Sequence, residues 1–196
     1  MDSDLLKQLE QLKKKDIATR EKLLSEGRLY GQYAQEMRKV HIENAHALDE
    51  IVSKHGWPTI SKVGVEGTRH AWLIAQHAIC TPELQRKFCK LLSEAAEKGD
   101  APKKQVAFLT DRIRFNEGKP QIYGTVLDWN ERGEFTCELE DPDKVDELRN
   151  SVGMPPFEQS RQEHKNEVLA EGGKSPDDFE AYRDGMAEWA RSVGWR

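Results

Sequence analysis

The chain has 196 residues, enough for one sizeable core and too few to favour two large domains. A third of the residues are charged and the net charge is −5, which excludes general nucleic-acid binding through a broad basic face. No stretch approaches the roughly 18 apolar residues of a membrane span, and Met1-Asp-Ser-Asp-Leu-Leu-Lys lacks the basic start and apolar block of an export signal, so a cytoplasmic protein with no membrane partner is expected.

From residue 4 to 25, Leu5, Leu6, Leu9, Leu12, Ile17, Leu23 and Leu24 recur at helical spacing among many charges, which predicts a helix with one apolar stripe and a solvated face. This helix, residues 1–26, stands apart from a helical domain over 27–196. A second helix is expected from near Tyr30 to about His55, with Met37, Val40, Leu48, Ile51 and Val52 on one side. His41 and Asn44 fall on or beside that apolar side. Gly56-Trp57-Pro58 stops the pattern, because glycine ends helices readily and the residue before proline avoids helical geometry.

After a loop over 59–66, residues 67–80 predict a central helix that is apolar on more than one side and therefore buried on more than one side. Gln76 and His77 sit inside that run, and buried polar groups need partners. Thr81-Pro82 opens a helix reaching about Lys98, and another is expected from Pro102 to Glu117. The latter embeds Asp111 and Arg112 between apolar neighbours. Adjacent helical residues point about 100° apart, so each of these charges must find its own partner.

Residues 121–129 alternate like a strand, Asn130 to Glu134 supplies a turn, and Phe135 to Leu139 returns. Short charged helices follow over 141–151, 157–171 and from Ser175 to near Val193. The fold class expected is therefore mostly α, a single helical domain with one small β-hairpin at about 121–139.

No familiar catalytic signature is present. The chain has no GxSxG elbow, no phosphate-cradling glycine loop and no HExxH. Cys80, Cys89 and Cys137 form an odd set with no CxxC spacing, as expected of reduced thiols. His70 and His77 lie seven residues apart, about 10 Å along a helix axis, too far to share one ion. A metal site would have to be assembled from different helices, for example from His41, His77 and Asp111. No metal-ligand set and no cofactor is assigned.

What does carry information is a coincidence of polar residues in apolar or strand-like settings: His41, Asn44, Gln76, His77, Asp111, Arg112, Gln121 and Tyr123. Their summed desolvation is costly unless they form networks. Two readings follow. In the first, the chain binds a small molecule in a polar pocket, with enzyme acid–base chemistry from His77 or His41 as base and Asp111 as orienter, Arg112 as anion clamp, and Gln121, Tyr123, Gln76 and Asn44 as ligand contacts. In the second, it is a non-catalytic interaction or structural protein in which these residues are internal hydrogen-bond partners and the terminal helices mediate homo-oligomerisation.

The runs Met37-Arg-Lys-Val-His-Ile-Glu-Asn44, His55-Gly-Trp-Pro58, Ala71-Trp-Leu-Ile-Ala-Gln-His-Ala78, Leu109-Thr-Asp-Arg-Ile113, Glu117-Gly-Lys-Pro-Gln-Ile-Tyr-Gly-Thr125 and Trp189-Ala-Arg-Ser-Val-Gly-Trp-Arg196 resemble a bacterial family known as a domain of unknown function. The resemblance spans about residues 25–196. It implies a motif map and no mechanism, and it picks out His41, His77, Asp111, Arg112, Gln121 and Tyr123. The chain departs from the pattern at Val126, where the resemblance implies a glutamine.

Overall fold

The computed structural model describes residues 1–30 and 33–196. Among these, the chain order is α1 (Ser3–Ser25), α2 (Gln35–His55), α3 (Ile60–His77), α4 (Pro82–Glu97), α5 (Lys103–Asn116), β1 (Asp128–Trp129), β2 (Phe135–Thr136), α6 (Val145–Ser151), α7 (Phe157–Ala170) and α8 (Phe179–Ser192). The architecture is mostly α with one small antiparallel hairpin. The backbone divides into two compact units, Met1–Val106 and Ala107–Arg196, with the division inside α5. No described helix is long and apolar enough to cross a membrane.

The first unit is built on α1, α2, α3 and α4. Its apolar stripes meet because each helix repeats its large residues at three- and four-residue intervals: Leu5, Leu9 and Leu23 from α1, Val40, Leu48 and Val52 from α2, Val63 and Ile74 from α3, Phe88 and Leu92 from α4, all buried. Full burial of one such large side chain contributes roughly 1.5–3 kcal/mol. Helix α1 is therefore part of the core, packed on both α2 and α3. Asp2 caps it, its carboxylate accepting from the N–H groups of Asp4 and Leu5 at 3.2 and 3.0 Å.

Two boundaries differ from the sequence reading. The expected helix from near Tyr30 begins at Gln35, and residues 31 and 32 lie outside those described. The expected loop over 59–66 is instead helical from Ile60, interrupted at Gly64, whose φ of 73° breaks the turn. At Gly67 a Cβ would stand 2.6 Å from Val63 and 3.0 Å from Leu6, so the glycine is what lets α1 lie against α3 at that level. Helix α3 then ends at His77 rather than running to residue 80. Its last carbonyls are closed by Gln85 of α4, whose amide donates to Ala75 O at 2.7 Å and Gln76 O at 3.1 Å.

In the second unit, the strand expected over 121–129 is confined to its end. Asp128 and Trp129 pair with Thr136 and Phe135, and Gln121 makes only an isolated bridge to Leu139. Residues between curl, because Gly124 takes a φ of 64° and the backbone N–H groups of this segment turn to a side chain of α5.

Candidate functional site

Helix α1 carries one residue that its charge pattern conceals. Asp16 continues the buried series Leu5 and Leu9, with the half-buried Leu12 one turn before it, and it is 0 % exposed. A carboxylate on a core stripe needs partners. They come from the two helices packed on α1. His77 in the last turn of α3 places Nδ1 2.8 Å from Asp16 Oδ2, and His41 of α2 places Nε2 3.4 Å from the same oxygen. The two imidazoles lie with centroids 4.8 Å apart and planes inclined at 34°.

The register that brings them together is held by Asn44. One helical turn beyond His41, its amide donates to Leu12 O at 3.0 Å, tying α2 to α1 beside the aspartate. On the outer edge, Lys15 and Glu43 form an ion pair between the same helices. The His41 ring is fixed from its other side by Tyr33, whose hydroxyl is hydrogen-bonded to Nδ1 at 2.5 Å.

The protonation of Tyr33 is settled by its surroundings. Burial, and after it the neighbouring Cys80 and Asp16, push the phenol far above its ordinary range, so it stays protonated. The Cys80 thiol is itself pushed up by burial, against the opposing effects of Tyr33 and Arg38. A protonated phenol can donate to His41 Nδ1, leaving Nε2–H toward the aspartate. Alternatively it can accept from Nδ1–H, leaving the Nε2 lone pair toward the aspartate. His77 is the more open member, its side chain 28 % exposed against 7 % for His41. The centre thus combines a fully buried carboxylate, a buried imidazole and an imidazole that solvent reaches. One ligand atom from each of Asp16, His41 and His77 lies within 4.8 Å of the others, a spacing that can hold a metal ion.

Of the residues singled out from sequence, His41 and His77 are brought together, Asn44 supports them, and Gln76 is buried next to His77 at the end of α3. The carboxylate that joins the two histidines is Asp16, not Asp111. Tyr33, Arg38 and Cys80 were missed as well. The signal for Asp16 was available, since it sits four residues after Leu12 and seven before Leu23 on the apolar stripe. Tyr33 lies in an irregular segment before α2, where no periodicity marks it.

Asp111, Arg112, Gln121 and Tyr123 belong to the second unit. Both oxygens of Asp111 are engaged: it accepts from Ile122 N at 2.9 Å, Tyr123 N at 3.1 Å, Thr125 N at 3.0 Å and Thr125 Oγ1 at 3.1 Å. Burial raises its pKa, and these donors oppose the rise. Gln121 and Val126 close a ring, the amide donating to Val126 O at 2.6 Å while its oxygen accepts from Val126 N at 2.9 Å. Arg149, only 3 % exposed, reaches the same loop from α6 and donates to Tyr123 O at 2.6 Å, Pro155 O at 2.7 Å and Ser160 Oγ at 2.5 Å. Burial lowers the pKa of Arg112, opposed by the negative charge of Asp128, which in turn accepts from the hydroxyl of Tyr182 at 2.8 Å. The adjacent charges Asp111 and Arg112 thus turn to separate partners.

No curated protein and no solved structure matches this chain. A family profile described as a family of unknown function, DUF6624, matches residues 3–166, a span that includes Asp16, His41 and His77 as well as the Asp111 loop. With more than half its length matched, the chain belongs to the DUF6624 family.

Proposed function

We propose that this is a small-molecule-binding protein with enzyme chemistry of the acid–base type, centred on Asp16, His41 and His77 in the first unit. The observation that carries the reading is one fully buried carboxylate oxygen 2.8 Å from the Nδ1 of a solvent-reached imidazole and 3.4 Å from the Nε2 of a second, buried one. Asp16 accepts from His77 Nδ1–H and fixes that ring's orientation and tautomer, which leaves Nε2 as the proton acceptor toward a bound molecule. His41, held between Tyr33 and Asp16, supports the aspartate. Three free cysteines favour a cytoplasmic setting.

A small-molecule library screened against the full-length chain by ligand-observed NMR, with hits followed in protein-observed spectra of the histidine rings, tests this reading. Hits that shift the His77 ring signals and are lost in His77→Gln support it; a library whose hits bind His77→Gln and the wild type alike sinks it. The second unit favours a different role for its polar residues. Because the hydrogen-bonding atoms of Asp111 and Gln121 are taken up by the loop they organise, we assign both to structure rather than to ligand contact.

A further inference from the structure

We propose that Asp16, His41 and His77 form a binding site for a single divalent transition-metal ion of the zinc class, with the side of His77 that solvent reaches as its open coordination position. The inference rests on the reading above, because it takes the same three residues as the site and replaces the proton shared by Asp16 and His77 with a metal ion.

The donors are the types that borderline divalent ions prefer, two imidazole nitrogens and one carboxylate oxygen. They come from α1, α2 and α3, so the packing of the first unit holds them in place before any ion arrives. Their mutual separations stay within 4.8 Å, and since ligands each about 2.0–2.2 Å from a common centre stand at most roughly 4.4 Å apart, an ion would draw the side chains together by a few tenths of an ångström. An independent observation points the same way: Asp16 Oδ1 is buried and has no hydrogen-bond partner among the described residues, although its residue is 0 % exposed. An orphaned carboxylate oxygen in a core is costly, and a cation bound by the carboxylate removes that cost.

The support around His41 is also that of a metal ligand. A histidine that binds through Nε2 must carry its proton on Nδ1 and pass it to an acceptor. The Tyr33 hydroxyl stands at Nδ1, and its own proton has Cys80 within hydrogen-bond reach. With three protein ligands and one face reached by solvent, the site has the form of a catalytic rather than a closed structural centre. An ion there would polarise a substrate oxygen or activate a bound water, the Lewis-acid chemistry of hydrolytic and hydration enzymes.

Untagged full-length chain, stripped of metal with a chelator, is titrated with Co2+ followed by absorption and with Zn2+ followed by calorimetry. The expected result is one equivalent of metal per chain and visible Co2+ bands of low-coordinate type. His77→Gln and His41→Gln should each weaken binding by about 100-fold and Tyr33→Phe by about 10-fold, second-layer changes costing roughly 10- to 100-fold. His70→Gln should leave binding unchanged. His77 is the safest variant for folding because it is partly exposed, and far-ultraviolet circular dichroism checks each protein. Lack of saturable binding by the wild type overturns the inference, as does undiminished binding in His77→Gln and His41→Gln. The 15N tautomer of His77 in metal-free protein separates the two ideas. A ring fixed as Nδ1–H with no metal binding removes the metal and keeps the acid–base reading, whereas a ring without a fixed tautomer and no metal binding removes both.

Discussion

Asp16 Oδ2 and His77 Nδ1 lie 2.8 Å apart although 61 residues separate them in sequence. In the metal-free protein this contact dictates that Nδ1 carries the proton. Asp16→Asn offers an amide whose nitrogen can face the ring equally well, so the restriction to one tautomer is lost. Two-bond 1H–15N correlation spectra should show a single His77 tautomer in the wild type and a mixture in the variant. A wild-type ring that already populates both forms contradicts the contact.

In the second unit, the Asp111 carboxylate gathers the backbone of residues 122–125. Asp111→Asn places an amide against donors it cannot accept from on both sides. Urea denaturation should show a loss of about 3 kcal/mol, in line with hydrogen bonds to a charged group and buried donors left unpaired. Thr125→Val removes one hydroxyl donor and should cost about 1 kcal/mol. A ratio near one between the two losses would mean that the backbone contacts contribute little.

Gly124 is required by two independent constraints. Its φ of 64° is left-handed, and a Cβ there would meet the Phe157 ring at 2.5 and 2.7 Å. Gly124→Ala should therefore cost about 1–2 kcal/mol for the conformation and roughly 1–3 kcal/mol for the overlap. Combining it with Phe157→Ala should recover the second contribution and leave the first, as a double-mutant cycle on urea midpoints will report.

His70 gives stability a pH dependence on the acid side of neutrality. Burial first, and then Lys13, lower its pKa from the ordinary 6.5, with Arg69 acting in the same direction and Glu66 and Glu10 opposing. In the unfolded chain the imidazole takes up its proton near its ordinary value, whereas the folded chain takes it up at lower pH. The stability associated with the neutral ring is present above pH 6.5 and is lost as pH falls through the depressed folded value. His70→Gln should flatten the decline in urea midpoint between about pH 7 and pH 5. An unchanged slope would place the acid sensitivity elsewhere.

Local chemistry wrote much of the helical framework plainly. Pro82 and the Gly56-Trp57-Pro58 stop delimit α4 and α2, and the leucine series of residues 5–23 marks the buried face of α1. The polar anomalies His41, Asn44 and His77 were visible for the same reason, since each interrupts an apolar face. What periodicity hides is pairing across elements. Asp111 and Asp16 are both carboxylates on helices, and only packing reveals that one collects backbone N–H groups while the other joins two histidines. The strand over 121–129 misled because alternation is indifferent to a glycine at positive φ, which turns an extended pattern into a loop around a carboxylate.

The bond from Asn44 to Leu12 O fixes the axial position of the first helix as a pawl fixes a ratchet. Leu12 O is the carbonyl that the N–H of Asp16 reaches in regular helical bonding, so the clasp lies on the same turn as the buried acid. Sliding α1 by one helical repeat, about 5.4 Å, would carry the acid out of reach of both rings. Such a slide exchanges one leucine for another along the stripe and costs hydrophobic packing little. An asparagine amide, which donates only to a carbonyl in a particular place, supplies the discrimination that leucines lack. Alignment of Asp16 with the two histidines is thereby entrusted to a side chain that bonds to the backbone of α1 rather than to the acid.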